Sequence, residues 1–552
     1  MKTVKLYSFF ILTLIGCLNV VNAQLDAKTE AKITEIISKM TLEQKIGQLA
    51  LRGTSSRTKV LPEQLKQDVR EGKIGAFLNV MKTDYVDELQ TIAVKESPLG
   101  IPLIFSRDVI HGFKTIFPIP LGLAASWDAE TAKTSARVSA IEGSSYGVRW
   151  TFAPMLDIAR DSRWGRIAES PGEDPYLASV LAKAYVEGFQ TDNLADQTAM
   201  ASCAKHFIGY GAAIGGRDYN TAIIHEPLLR NVYLKPFEAA IEAGAPTVMT
   251  SFNEVNGVPA SGNKWLLSQV LRDEMNFNGF VVSDWDSVIE MIAHGYAADE
   301  KHAADLALNA GLDMEMTSKT YDNHVKALLK EGKVKVEQID FLVRNILRVK
   351  FQLNLFEKPY RLKSHTGNLY APEHLEKAKA AAIKSSVLLK NKKNILPLAT
   401  TTKVAVIGPL ADAPREQLGT WTFDGEKEHS VTPLKAFTDA KASFSFVKTL
   451  THSRDNSQKE FEAAVTAAEE ADVVVVFAGE EAILSGEAHS RANIDLPGAQ
   501  EALIKALAKT GKPIVLVIMA GRPITITNII DDVDAVLMAW HPGTMAGPVL
   551  YD

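Results

Sequence analysis

Three short stretches of this 552-residue chain concentrate side chains that can do chemistry. Arg160-Asp161-Ser162-Arg163-Trp164-Gly165-Arg166 is dense in guanidinium forks, with Glu169, Glu173 and Asp174 close behind. Lys205-His206 and Ser283-Asp284-Trp285-Asp286 add cations, carboxylates and an indole. Carboxylates and cations can satisfy vicinal hydroxyls while an aromatic face covers the apolar side of a sugar ring, and such polar groups in a concave site fix orientation. Cleaving a glycosidic bond asks further for two carboxyl groups, one as nucleophile or base and one as acid.

Other chemistries fail on register. Gly143-Ser144-Ser145-Tyr146-Gly147 spells G-x-S-x-G, but a nucleophile elbow needs strand before the serine and helix after it, and here that order is reversed. His225-Glu226 meets Leu229 where a zinc motif needs its second histidine. Gly209, Gly211, Gly215 and Gly216 miss the dinucleotide register, because position 214 is Ile, and Gly511-Lys512 runs into Pro513. The two cysteines, Cys17 and Cys203, offer no zinc or redox pair. These absences argue against a serine hydrolase, a metalloprotease, a dinucleotide enzyme and an ATPase. The net charge of −6 leaves no basic excess for nucleic acid.

The elements that must position these residues show a rhythm. Apolar runs at 74–80, 102–110, 150–158, 201–210, 247–252, 279–284 and 311–316 alternate with helical stretches, their starts 28 to 51 residues apart. Alternating β and α units predict a parallel sheet, and seven or eight of them a closed (β/α)8-type TIM barrel, modified if the unclear eighth strand is missing. The right-hand ends carry Asp108, Asp157 with Arg160 and Asp161, Lys205-His206, Asn253, Asp284 and Glu315. In such a barrel the C-terminal strand ends form the site, although any one of these residues could instead cap the next helix. Residues 356–385 read as a linker, with helical character from 375 to 390. Continuous apolar strands at 404–407, 444–447, 473–477, 514–519 and 535–538 then predict a doubly wound α/β sandwich over 386–552. The abrupt stop at Tyr551-Asp552 suggests that this domain is truncated.

The hydrophobic share of 46% and charged share of 23% are those of a globular protein. Lys2 and Lys5, an apolar run from 6 to 15, and Val21-Asn22-Ala23 before Gln24 read as a signal peptide over residues 1–23, leaving 25–355 as the barrel domain. Leu14-Ile15-Gly16-Cys17 also resembles a lipoprotein box. Export to the periplasm or the medium is expected either way, with no second membrane segment. Signal removal leaves Cys203 alone, so no internal disulfide is expected.

The chain resembles glycoside hydrolase family 3, and within it the bacterial periplasmic β-glucosidases. The resemblance rests on Met40-Thr41-Leu42-Glu43-Gln44-Lys45-Ile46-Gly47-Gln48, Asp108-Val109-Ile110-His111-Gly112, the segment 117–126, residues 161–166 with Glu169 and Gly172-Glu173-Asp174, Lys205-His206-Phe207, 253–257, 279–284 and Gly521-Arg522-Pro523. It implies a barrel, a following α/β sandwich and a site at their interface. It further implies Asp284 as nucleophile and, through the pattern Glu-x-x-x-Arg-x-x-Ile-x-Leu-Pro, Glu487 as acid/base in the loop 479–497. Glu480 and Glu481 are rivals in that loop, and Asp284 could alternatively cap a helix starting near Val288. The implied glucose-binding positions are Asp108, Arg163, Lys205, His206, Met249 and Trp285. Phe252 stands where many relatives have Tyr.

The implied activity is a retaining exo-β-glycosidase, most simply a β-glucosidase, needing no cofactor or metal. Its Asp284 is expected to be held ionised by Arg163, Lys205 or His206, and the acid to be a partly buried Glu. β-Xylosidase is the nearest rival. A β-N-acetylhexosaminidase of the same family is disfavoured, because no Asp-x-His follows Lys205-His206. A sugar-binding relative without catalysis is the alternative from another class. The sequence leaves open whether the chain forms a homodimer. Asp284 and Glu487 lie 203 residues apart, so domain packing must bring them together.

Overall fold

The computed structural model describes residues 26–54, 60–363 and 368–552. The expected export segment at 1–23, with Cys17, lies outside them.

In the first unit, β1 (Ala50–Gly53), β2 (Ala76–Leu78), β3 (Ile104–Arg107) and β4 (Trp150–Thr151) run parallel, with Leu51 opposite Ala76, Phe77 opposite Phe105 and Ser106 opposite Trp150. β5 (Cys203–Phe207) pairs in parallel with β6 (Thr247–Thr250). A small hairpin, β7 (Glu254–Val255) and β8 (Val258–Pro259), precedes β9 (Phe280–Val282), which returns to β6. β10 (Glu315–Met316) pairs with β1. Isolated parallel bridges join Trp150 to Ala201, Met155 to Lys205, and Val282 to Met314. Ladders and bridges together link these eight parallel strands in one circuit. Each of the seven apolar runs contains one strand. The eighth is β1, which follows the helix Leu42–Gln48 after one residue, so its apolar residues merge with the helical pattern.

Helices cover this circuit. Ala129–Ser145 packs on Pro175–Gln190, which packs on Lys235–Glu242. Asp128 and Asp174 cap the first two through their side chains, and Pro175 takes the first helical position, where its missing N–H costs nothing. Val336–Gln352 buries Ile339, Leu342, Val343, Ile346 and Leu347, a spacing that gives one apolar face.

The second unit is a six-stranded sheet. β11 (Val387–Asn391), β12 (Val404–Ile407), β13 (Phe444–Val447), β14 (Val473–Gly479), β15 (Ile514–Met519) and β16 (Ala535–Met538) lie in the order β11-β16-β15-β14-β12-β13, parallel except for β11. Every residue of β14 and β15 is buried, as expected of strands covered on both faces. One expectation needs correction. The helix expected over 375–390 ends at Ser385, as Pro372–Ser385, and the chain turns into edge strand β11. β-Branched Val387 pairs with Met538 and Leu388 with Leu537, while Leu389 sits in a bulge, so ladder pairing overrides the helical pattern. The later part of the expected linker is therefore helical, and Pro372–Ser385 packs on Pro120–Ala125.

The two units share a core. Ile119, Leu121, Met155, Trp164, Ile167, Tyr210 and Phe252 of the first unit form one buried cluster with Ile407, Val474, Leu516, Val536 and Trp540 of the second. Among the described residues no helix is long and apolar enough to cross a membrane.

Candidate active site

A cavity of about 840 Å³ opens where the units meet. The first unit lines it with Asp108, Arg166, Lys205, Met249, Asp284 and Trp285. Trp421, Phe423, Asp424 and Glu487 come from the second unit. Asp108 directly follows β3, Lys205 lies within β5, Met249 within β6, and Asp284 stands two residues beyond β9. These parallel strands end on one side, so their terminal side chains converge.

At the floor, Lys205 Nζ donates to Asp108 Oδ1 at 3.0 Å. Burial pulls the lysine down, but Asp108 and Glu169 outweigh it, and the ammonium is held above its ordinary value. Arg166 is almost fully buried and grips Glu169 with a two-pronged fork, Nε to Oε1 at 2.8 Å and Nη2 to Oε2 at 3.1 Å. The same Nη2 lies 2.9 Å from His206 Nε2. A guanidinium can only donate, so His206 Nε2 must accept, and its proton sits on Nδ1 facing Asp157 Oδ2 at 2.8 Å. Burial, with Arg166 and Lys205, drives His206 well below its ordinary value, so the ring is neutral.

Asp284 Oδ1 accepts the Trp285 backbone N–H at 2.7 Å, and Oδ2 lies 3.5 Å from His206 Nε2. Burial pushes its carboxyl up to about 8 against the pull of Arg166 and Lys205, and the charge of Glu487 adds to the rise. The expectation that neighbouring cations hold Asp284 ionised is thus corrected: His206 is neutral, Arg163 is elsewhere, and desolvation exceeds what Lys205 supplies. The helix-cap alternative also fails, because Ile289–Met291 begins at Val288 with no side-chain cap.

Glu487 reaches the cavity from the loop after β14. Its Oε1 accepts the Tyr219 hydroxyl at 2.6 Å, and its Oε2 lies 3.9 Å from Arg166 Nη1. Its rivals are engaged elsewhere. Glu480 is buried in ion pairs with Arg522 and Arg491, and Glu481 pairs with Arg454 and accepts from Ser453. Among the described residues no group of three or more His, Cys, Asp or Glu is arranged to hold a metal ion.

The chain matches the family model described as the glycosyl hydrolase family 3 N terminal domain over residues 41–349, and that of the family 3 C-terminal domain over residues 386–552. The chain belongs to glycosyl hydrolase family 3. It is 38% identical to a periplasmic beta-glucosidase of Salmonella typhimurium, over 95% of this chain and 72% of that protein. It is 34% identical to a beta-xylosidase of Formosa agariphila, over 86% of this chain and 70% of that one. Among solved structures, the beta-glucosidase from Listeria innocua in complex with isofagomine superposes with a TM-score of 0.90 at 41% identity, over 96% of this chain and 74% of that one. A mutant of the Listeria enzyme in complex with laminaribiose gives 0.91 at 40%, with the same coverage.

In this family 3 chain the cavity gathers Asp108, Lys205, Met249, Asp284, Trp285 and Glu487, and His206 lies directly behind Asp284. Arg163 is the exception. It is about half exposed, forks onto Asp161, and lines a separate surface cavity of about 570 Å³ with Arg160. Three residues on, Arg166 turns inward instead. All three arginines were visible as one cluster, but only packing decides which points in. Glu315 takes the capping role that any strand-end residue could have had: its carboxylate accepts the backbone N–H groups of Thr320 and Tyr321. Trp164 is a buried anchor, its Nε1 donating to Asp218 Oδ1 at 3.0 Å. Sequence reasoning missed Arg107, which forks onto Asp424 across the unit boundary and donates to Asn79. It missed Trp421 as well, whose ring lies 5.0 Å from Lys205 Nζ and 5.2 Å from the Arg166 guanidinium.

Proposed function

We propose that this chain is a retaining exo-β-glycosidase acting on β-glucosides, with Asp284 as nucleophile and Glu487 as acid/base. The observation that carries it is two carboxyl groups, one from each unit, facing a single cavity of small-molecule size beside Lys205, Arg166 and Trp285. In the first step the Asp284 carboxylate bonds to the anomeric carbon as the bond to the leaving oxygen breaks, and Glu487 gives that oxygen its proton. In the second, Glu487 takes a proton from water as the water oxygen attacks the same carbon, and Asp284 departs with its electron pair. Asp108, Lys205 and Arg166 supply the donors and acceptors for ring hydroxyls, His206 holds Arg166 from behind, and Met249 and Trp285 form the apolar wall. No cofactor or metal enters this chemistry.

The relatives named for β-glucosidase activity and the Listeria complexes with isofagomine and laminaribiose support the sugar class. The circuit of eight parallel strands supports reading the first unit as a modified (β/α)8 barrel. The apolar run from 6 to 15, the cleavage-type residues Val21-Asn22-Ala23 and the periplasmic relative support export. β-Xylosidase is the second reading, favoured by the Formosa relative.

Incubation with a 2-fluoro-β-glucosyl fluoride followed by peptide mapping tests the mechanism. A mass increase on the peptide containing Asp284 is expected; label on another carboxylate, or none with turnover intact, sinks the assignment. Rates on matched aryl glucosides, xylosides and N-acetylglucosaminides decide the sugar.

A further inference from the structure

The acid/base stands on a loop of one unit but works on a sugar held by the other, so something on the first unit must hold that loop in place. Glu487 is flanked by two residues in the left-handed region, Gly486 at φ +98° and Ala488 at φ +61°. For alanine that conformation is strained and persists only where contacts impose it. The Gly486 N–H donates to Gly165 O at 2.7 Å. The Ala488 N–H donates to Asp218 Oδ2 at 2.7 Å, while Asp218 Oδ1 accepts from Trp164 Nε1. Ser490 Oγ donates to Gly216 O at 2.6 Å. Next to Asp218 is Tyr219, itself at φ +64°, whose hydroxyl donates to Glu487 Oε1 at 2.6 Å. The ring stands edge-on against Phe252, with centroids 5.1 Å apart at 89°. A phenylalanine at 252 thus buttresses the tyrosine rather than offering a hydroxyl of its own.

We propose that Asp218 and Tyr219 are positioning residues for the acid/base, Asp218 holding the loop backbone at Ala488 and Tyr219 holding the carboxyl of Glu487. This inference rests on Glu487 being the acid. Tyr219 occupies Oε1 as a hydrogen-bond donor. Oε2 accepts no hydrogen bond among the described residues, so it is the oxygen free to carry the proton toward the departing group. Burial and the Glu487 charge push the Tyr219 phenol upward, so it stays a donor through the working range.

The test is leaving-group dependence of kcat/KM, which reports the first chemical step. An acid matters for a poor leaving group and hardly at all for 2,4-dinitrophenolate. Tyr219→Phe is expected to lower kcat/KM about tenfold or more on cellobiose and less than about twofold on 2,4-dinitrophenyl β-glucoside, within the range that acid catalysis supplies. Asp218→Asn, which places an amide against the Ala488 N–H or the Trp164 indole, is expected to show the same split. Thermal denaturation of each variant checks folding. Equal losses on both substrates, or no loss on cellobiose, overturn the inference. Glu487→Gln is the control. If its own loss is independent of the leaving group, the acid assignment fails and takes this inference with it. If its loss is steep while Tyr219→Phe is flat, only the inference falls.

Discussion

Asp284 shows how burial and charge compete at one residue. Two cations stand near it, yet desolvation wins and its carboxyl rises to about 8. The proposed first step needs the ionised form, and below its pKa Asp284 is protonated. The acidic limb of kcat/KM for an aryl β-glucoside is therefore expected above the ordinary Asp range, with activity falling as pH drops through it. An acidic limb at about pH 4 would contradict this environment. The arginines give a sharper residue-scale contrast. Arg166→Lys keeps the charge but loses the fork onto Glu169 and the donor to His206, so kcat/KM is expected to fall about 100-fold or more. Arg163→Ala removes an exposed side chain paired with Asp161 and is expected to change kcat/KM less than about twofold, as surface substitutions usually do. Reversed results for this pair would restore the sequence-based assignment.

At the scale of elements, the deciding piece is the loop between β14 and the helix Gln500–Ala508. It lies against the segment around Gly165, where a Cβ would overlap the carbonyl oxygens of Gly486 and His489. Gly165→Ala is expected to lift the loop and lower kcat on cellobiose by about tenfold or more, while the nucleophile still labels with a 2-fluoro glycosyl fluoride. Wild-type rates in this variant would mean that the loop does not depend on that close approach. The strands were legible as apolar runs because burial on both faces leaves a continuous pattern. β1 and β11 were not, because each follows a helix after a single residue and its apolar residues read as a continuation of that helix. Their assignment depends on partners far away in sequence, Glu315 and Met316 for β1 and Leu537 and Met538 for β11.

At the scale of the whole molecule, Arg522 joins the units. Its buried guanidinium pairs with Glu480, donates to the carbonyls of Ser162 and Arg163 in the first unit, and donates to those of Leu484 and His489 in the second. Removing it leaves Glu480 buried with Arg491 alone. Arg522→Met is expected to cost about 3–5 kcal/mol, seen in chemical denaturation as a lower midpoint. The glutamate loop would be released along with it, so activity should fall even at temperatures where the protein remains folded. An unchanged midpoint would show that the guanidinium contributes little beyond its own desolvation.

The sequence by itself determined the family and the two α/β units and nominated both candidate carboxylates, since residue type and local order survive without coordinates. Tertiary structure alone decided that Arg166 rather than Arg163 enters the cavity, that Tyr219 reaches Glu487, and that Asp284 is driven toward its neutral form. Each of those depends on which way a side chain points and how much water it loses. Both are settled by contacts between residues tens to hundreds of positions apart, which no local pattern encodes.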